Sequence, residues 1–239
     1  MNYFDEYIKN FDTSVGEINY KYHHSYRVMD NMEKIAKELN LNKEDIELAK
    51  CIGILHDIGR FKQFKEYQTF KDEQMDHADY GVEVIKQNNI LEKANINRED
   101  HKVVYAAIKN HNKYEVEKGL SERELLFTKM IRDADKLDII YVLANPEIRK
   151  FIHEDDSELS NNLKKEFYNN KPLKYSDIKT NNDSILIFFA YIYDINFNIS
   201  LKIIKDNKYY EKIYNNLKNK ERYTKYYKYI QEYIKERVD

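Results

Sequence analysis

Four histidines and two aspartates in the first 135 residues have the types and spacing to hold a metal: His24, His56, Asp57, His77, His111 and Asp135. Imidazole and carboxylate together suit Fe, Mn, Co, Ni or Zn, and Mg or Ca less well. The aspartates lie in long apolar contexts. A buried carboxylate without a partner is costly, and coordination of a cation is a common remedy. The spacing therefore points to a metal site.

These side chains act together only if helices aim them at one place. A helical face repeats at every third or fourth residue. In the first long helix Val28, Met32, Ile35, Ala36 and Leu39 form the apolar stripe, and His24 continues it, whereas His23 falls on the side of Arg27 and Asp30. Ala49, Ile52 and His56 share a face, as do His77, Gly81, Val84 and Ile85. Val104, Ala107, Ile108 and His111 form another face, and Phe127, Ile131 and Asp135 a fifth. Asp57 follows His56 at a helix end, where a turn brings neighbouring side chains together. His101 lies on the stripe of His111 but about 15 Å from it along a helix, so it cannot share the centre. His153 belongs to a polar, acidic stretch and should be exposed.

Helices are expected at 3–11, 24–39, 43–57, 77–89, 99–113, 122–143, 157–169, 182–192, 195–205, 208–218 and 220–236. Asn42 and Ser121 serve as N-caps, with Asp45 and Glu124 three residues on, and Gly59 should close the helix of His56. Only 5 Gly and 2 Pro occur in 239 residues, which leaves little material for hairpins or phosphate-binding glycine loops. The fold class is all-α: a metal-binding catalytic core over 1–145 and a C-terminal helical subdomain, packing on the core, over 146–239. Pro146 and Pro172 bracket the acidic Glu154–Asp156 stretch between these halves.

The single cysteine, Cys51, excludes an internal disulfide and reads as a buried small hydrophobe. The N-terminus has no signal core, and the longest apolar run, Ile185 to Tyr193, is too short to span a bilayer. A cytoplasmic protein without membrane contact is expected. The Ile, Asn, Lys and Tyr excess suits a low-GC bacterial genome. Net charge is −2, although the chain from Leu201 onward is basic. Tyr226, Tyr229, Ile230 and Tyr233 follow helical spacing there, which reads as a packing or homodimer face rather than a platform for nucleic-acid bases.

His24, then HDIGR at 56–60, HADYG at 77–81, NHN at 110–112 and RDADKLD at 132–138, resembles the HD superfamily over roughly residues 20–145. The resemblance implies an HD-domain helical bundle around one or two metals. The first metal would take His24, His56, Asp57 and Asp135. The second would take Asp57 as a bridge, with His77 and His111. These are the six residues that the helical stripes select. The implied activity is cleavage of a phosphate ester or phosphoanhydride, in a nucleotide or another small phosphorylated metabolite, by a hydroxide bridging the metals.

Arg60, Lys113 and Lys136 are the candidate catalytic cations alongside Asp57, and Gln63 and Asp76 are candidates to orient a ligand or water. Asn112 stands where cyclic-dinucleotide phosphodiesterases of the HD-GYP type carry a second histidine, so that activity is an alternative with a weaker fit. The ligand pattern is also similar to that of di-iron oxygenases of the myo-inositol oxygenase type, a second alternative.

Overall fold

The computed structural model describes residues 2–238 and is all-helical, with no strand among the described residues. The chain forms two compact units, Met1–Asp135 and Lys136–Asp239. The first contains α1 (Asn2–Ile8), α2 (Gly16–Glu38), α3 (Lys43–Leu55), α4 (Ile58–Tyr67), α5 (His77–Gln87), α6 (Ile90–Lys93), α7 (His101–Asn110) and the first part of α8 (Glu122–Ala144). The second contains the end of α8, then α9 (Asn161–Glu166), α10 (Asn181–Ala190), α11 (Asn198–Asp206), α12 (Tyr209–Asn216) and α13 (Lys220–Val238). Among the described residues no helix is long and apolar enough to cross a membrane.

Local chemistry accounts for the helix ends that matter to the centre. The Asn42 side chain accepts from Asp45 N at 2.8 Å and starts α3. Ser121 and Glu124 exchange hydrogen bonds as a capping box, Glu124 N to Ser121 Oγ at 3.3 Å and Ser121 N to Glu124 Oε2 at 2.7 Å. The helix of His24 begins earlier than the stripe predicted, at Gly16, because Ile18 extends the same buried face.

One expectation is corrected. Gly59 does not close the helix of His56. That helix ends at Leu55, with His56 as its C-cap, and Asp57 (φ −106°, ψ 16°) breaks the run. A new helix, α4, starts at Ile58 with Gly59 inside it. Glycine is there for contact rather than for helix termination. A Cβ on Gly59 would lie 2.2 Å from the His77 carbonyl oxygen and 2.8 Å from Gly81 N, so α4 and α5 cross backbone against backbone.

Val28, Met32, Ile35, Ile52, Leu55, Phe61, Ile85, Val104, Ile108, Phe127 and Ile131 build the buried core of the first unit. Phe4 packs edge-on against Phe61 at 5.9 Å, and the Tyr22 and Tyr26 hydroxyls donate to Asp5, which holds α1 in place.

The second unit is built around polar ties as well as apolar ones. Buried Asn182 donates to Asp155 O at 2.9 Å and Ser157 O at 2.7 Å, and it accepts from Tyr223 OH at 3.0 Å. The Glu154 carboxylate accepts from the backbone of Lys218 and Asn219 at the start of α13. The acidic stretch is therefore anchored to the last helix. Tyr226 and Ile230 are buried, with Tyr226 edge-on to Phe167 at 4.9 Å. This part of the tyrosine face serves packing.

Candidate metal centre

Each donor of the first unit reaches the centre from a different helix or helix end. α2 supplies His24, the α3–α4 junction supplies His56 and Asp57, α5 begins with His77, α7 ends at His111, and α8 supplies Asp135. All six are buried. His24 Nε2 lies 3.2 Å from His56 Nε2, and His77 Nε2 lies 3.1 Å from His111 Nε2. Asp135 Oδ1 stands 3.3 Å from His24 Nε2 and 3.7 Å from His56 Nε2.

Asp57 divides its two oxygens between these histidine pairs. Oδ2 is 3.4 Å from His24 Nε2 and 3.6 Å from His56 Nε2. Oδ1 is 3.2 Å from His77 Nε2 and 3.6 Å from His111 Nε2. Burial pushes the Asp57 carboxyl up, but the ammonium of Lys21 and the His56, His111 and His24 rings together overcome this and hold it well below the ordinary carboxylate range. The carboxylate is thus ionised inside the protein.

Ring orientation is fixed from outside the cluster. His56 Nδ1 donates to Gly53 O at 2.8 Å, and His111 Nδ1 donates to Ile108 O at 2.6 Å. His77 Nδ1 donates to the Asp72 carboxylate at 2.9 and 3.0 Å. A carbonyl or carboxylate oxygen only accepts here, so Nδ1 carries the proton, and in the neutral ring the lone pair is on Nε2. Burial lowers the His111 imidazole to about 4, so that ring is neutral at physiological pH. Lone pairs of several rings and an ionised carboxylate therefore face one another in a buried space. This donor set fits a divalent transition metal, with outer partners of the kind that orient metal-bound histidines. Two overlapping triads meet the geometry, His24–His56–Asp135 and His56–Asp57–His111.

The other sequence candidates occupy varied positions. Arg60 Nη1 donates to Gln63 Oε1 (2.8 Å), Phe70 O (2.5 Å) and Asp72 Oδ1 (2.8 Å), with Nε 3.7 Å from Asp57 Oδ1. Arg60 thus holds Asp72, which holds His77. Gln63 is fully buried and donates to Lys71 O, Asp72 Oδ1 and Met75 O, so it braces the loop carrying Asp72. Asp76 caps α5 through Ala78 N and Asp79 N and also accepts from Asn112. Lys113 pairs with Glu117 at 2.6 Å. Lys136, in the second unit, lies 5.5 Å from the Tyr191 ring centroid. His23 and His153 are exposed, and His101 bonds to Ile96 O.

Three residues at the centre were missed by the sequence reading. Lys21 Nζ sits 2.5 Å from Asp57 Oδ2; its position three residues before His24, on the same face of α2, was the available signal. Asp72 lies in a loop without periodicity and gave none. Arg132, buried in α8, donates to the carbonyls of Asn110 (2.9 Å) and Lys113 (2.6 Å) and steadies the end of α7 that carries His111.

A bundle of helices closing on buried histidines and aspartates defines the class, a helical domain with a centre suited to divalent metals. Residues 22–140 match the HD domain, and this chain belongs to that family. The HD superfamily consists mostly of metal-dependent hydrolases, above all phosphohydrolases. The chain has no significant match among curated proteins or among solved structures.

Proposed function

We propose that this protein is a metal-dependent phosphohydrolase that cleaves a phosphate ester or phosphoanhydride in a nucleotide or another small phosphorylated metabolite. The observation that carries the reading is the division of Asp57 between two histidine pairs, which is the geometry of a carboxylate shared by two cations. His24, His56, Asp57 and Asp135 would hold one metal, and Asp57, His77 and His111 the other. Metals so bound supply a water of lowered pKa and positive charge for the phosphoryl oxygens.

The chain's own residues do the rest. The Nδ1 bonds to Gly53, Ile108 and Asp72 keep three imidazoles in the ligating tautomer. Arg60 and Gln63 lock the Asp72 loop, and the buried walls keep bulk water from competing for the donors. Lys21 and Arg60 place positive charge beside Asp57, which favours an anionic substrate.

A panel of nucleotides and sugar phosphates, assayed with Mn, Fe, Co, Ni and Mg, tests the proposal. Release of phosphate or of a nucleoside monophosphate that disappears in Asp57→Ala is the expected result. Oxygen consumption specific to iron, with no phosphate release under any metal, would replace it with an oxygenase. Turnover confined to a cyclic dinucleotide would narrow it to a phosphodiesterase.

A further inference from the structure

Asp57 Oδ2 has two kinds of partner. It faces His24 and His56, the donors of one metal subsite, and it also accepts a hydrogen bond from Lys21 Nζ at 2.5 Å. Oδ1 faces His77 and His111 and has no lysine against it among the described residues; beyond those imidazoles, its basic neighbour is Arg60 at 3.7 Å. The two sides of the centre are therefore electrostatically unequal.

Orienting a carboxylate needs only a neutral hydrogen-bond donor, just as two of the imidazoles are oriented by neutral acceptors, the Gly53 and Ile108 carbonyls. Lys21 instead brings a full positive charge to the oxygen that a cation on the His24 side would use. Like charges separated by a single oxygen oppose each other strongly, because the surroundings are buried. The lysine stem is flexible, and it already lies beside two aromatic faces, with Nζ 5.8 Å from the Tyr20 ring centroid and 5.7 Å from that of Phe70. These rings give the ammonium somewhere to lean when a cation takes Oδ2.

We infer that Lys21 competes with metal for Asp57 Oδ2 and so selectively weakens cation binding on the His24–His56–Asp135 side of the centre. The inference rests on the metal-centre reading above. Lys21 is in this sense a positioning and tuning residue. It holds Asp57 in place through Oδ2, and it makes one metal exchangeable while the other is held by the Oδ1 side.

Titration of the metal-stripped protein with Mn(II), followed by calorimetry, tests this. Lys21→Met should tighten one binding step at least tenfold, and Lys21→Arg, which keeps the charge, should stay near wild type. The tightening should persist in a His77→Ala background and vanish in a His24→Ala background. Lys21→Gln serves as a second uncharged variant, with folding checked by circular dichroism of the metal-free proteins. Unchanged or weaker Mn(II) binding in folded Lys21→Met or Lys21→Gln overturns the inference while leaving the metal centre standing. Absence of Mn(II) binding to wild type in the same titration overturns the centre and the inference together.

Discussion

His77 and His111 meet Nε2 to Nε2 at 3.1 Å, although the other ring nitrogen of each already donates a hydrogen bond, to Asp72 and to Ile108 O. In the neutral rings neither facing nitrogen has a proton to offer, and Asp57 Oδ1 adds further negative charge 3.2 Å from His77. Such a group is relieved by a cation.

Metal should therefore stabilise the fold. Ligand at a hundredfold excess over its Kd adds about 2.7 kcal/mol, and at about 2–4 °C per kcal/mol for a chain of this size that is a rise of several degrees in Tm. Calorimetric scans of metal-stripped protein with and without Mn(II) measure it. The rise should be lost in Asp57→Ala. A wild-type Tm indifferent to Mn, Fe, Co and Ni would refute the centre.

Asp72→Ala should lower metal affinity roughly 10–100-fold, the usual effect of removing a histidine's outer partner, with the fold intact because the carboxylate is partly exposed. Arg60→Ala should act in the same direction and more weakly, through Asp72. If Arg60 instead acts as a catalytic cation on the substrate's phosphate, its loss would raise KM and spare the metal. Metal titration set beside KM separates these two outcomes.

Gly59→Ala should destabilise by about 1–3 kcal/mol or more, the range for overpacking, since the new Cβ would lie 2.2 Å from the His77 carbonyl oxygen. The displaced α5 carries His77, so metal affinity should fall with stability. Urea midpoints and calorimetric titration follow the two losses. A variant as stable as wild type would mean that α4 and α5 separate at little cost.

Cys51 is buried, and burial pushes its thiol up to about 12. It should resist Ellman's reagent at pH 8 in the native protein and react at once in denaturant. Rapid native labelling would show that α3 opens locally.

The inward histidines were legible because helices impose a period on the sequence, and His24, His56, His77 and His111 all sit on or at the end of an apolar stripe. Asp135 was legible for the same reason. The helix α4 was not, because Gly59 has a poor local helix propensity, and the reason for it lies in another helix, at the His77 carbonyl. Asp72 was hidden in a loop, where position carries no periodic signal. The role of Glu154 and Asp155 was hidden too, since their partners Asn182, Lys218 and Asn219 lie far along the chain.

The same long-range ties set an order of events during synthesis. Every donor residue of the metal centre is part of the nascent chain once Asp135 is added. The Glu154 carboxylate and the Asn182 side-chain carbonyl, in contrast, must wait for the Lys218–Tyr223 segment to supply their donors. The nascent chain thus acquires its complete ligand set well before the C-terminal unit can finish its own polar core, and a stalled or shortened product would carry all the ligands beside an unsatisfied tail.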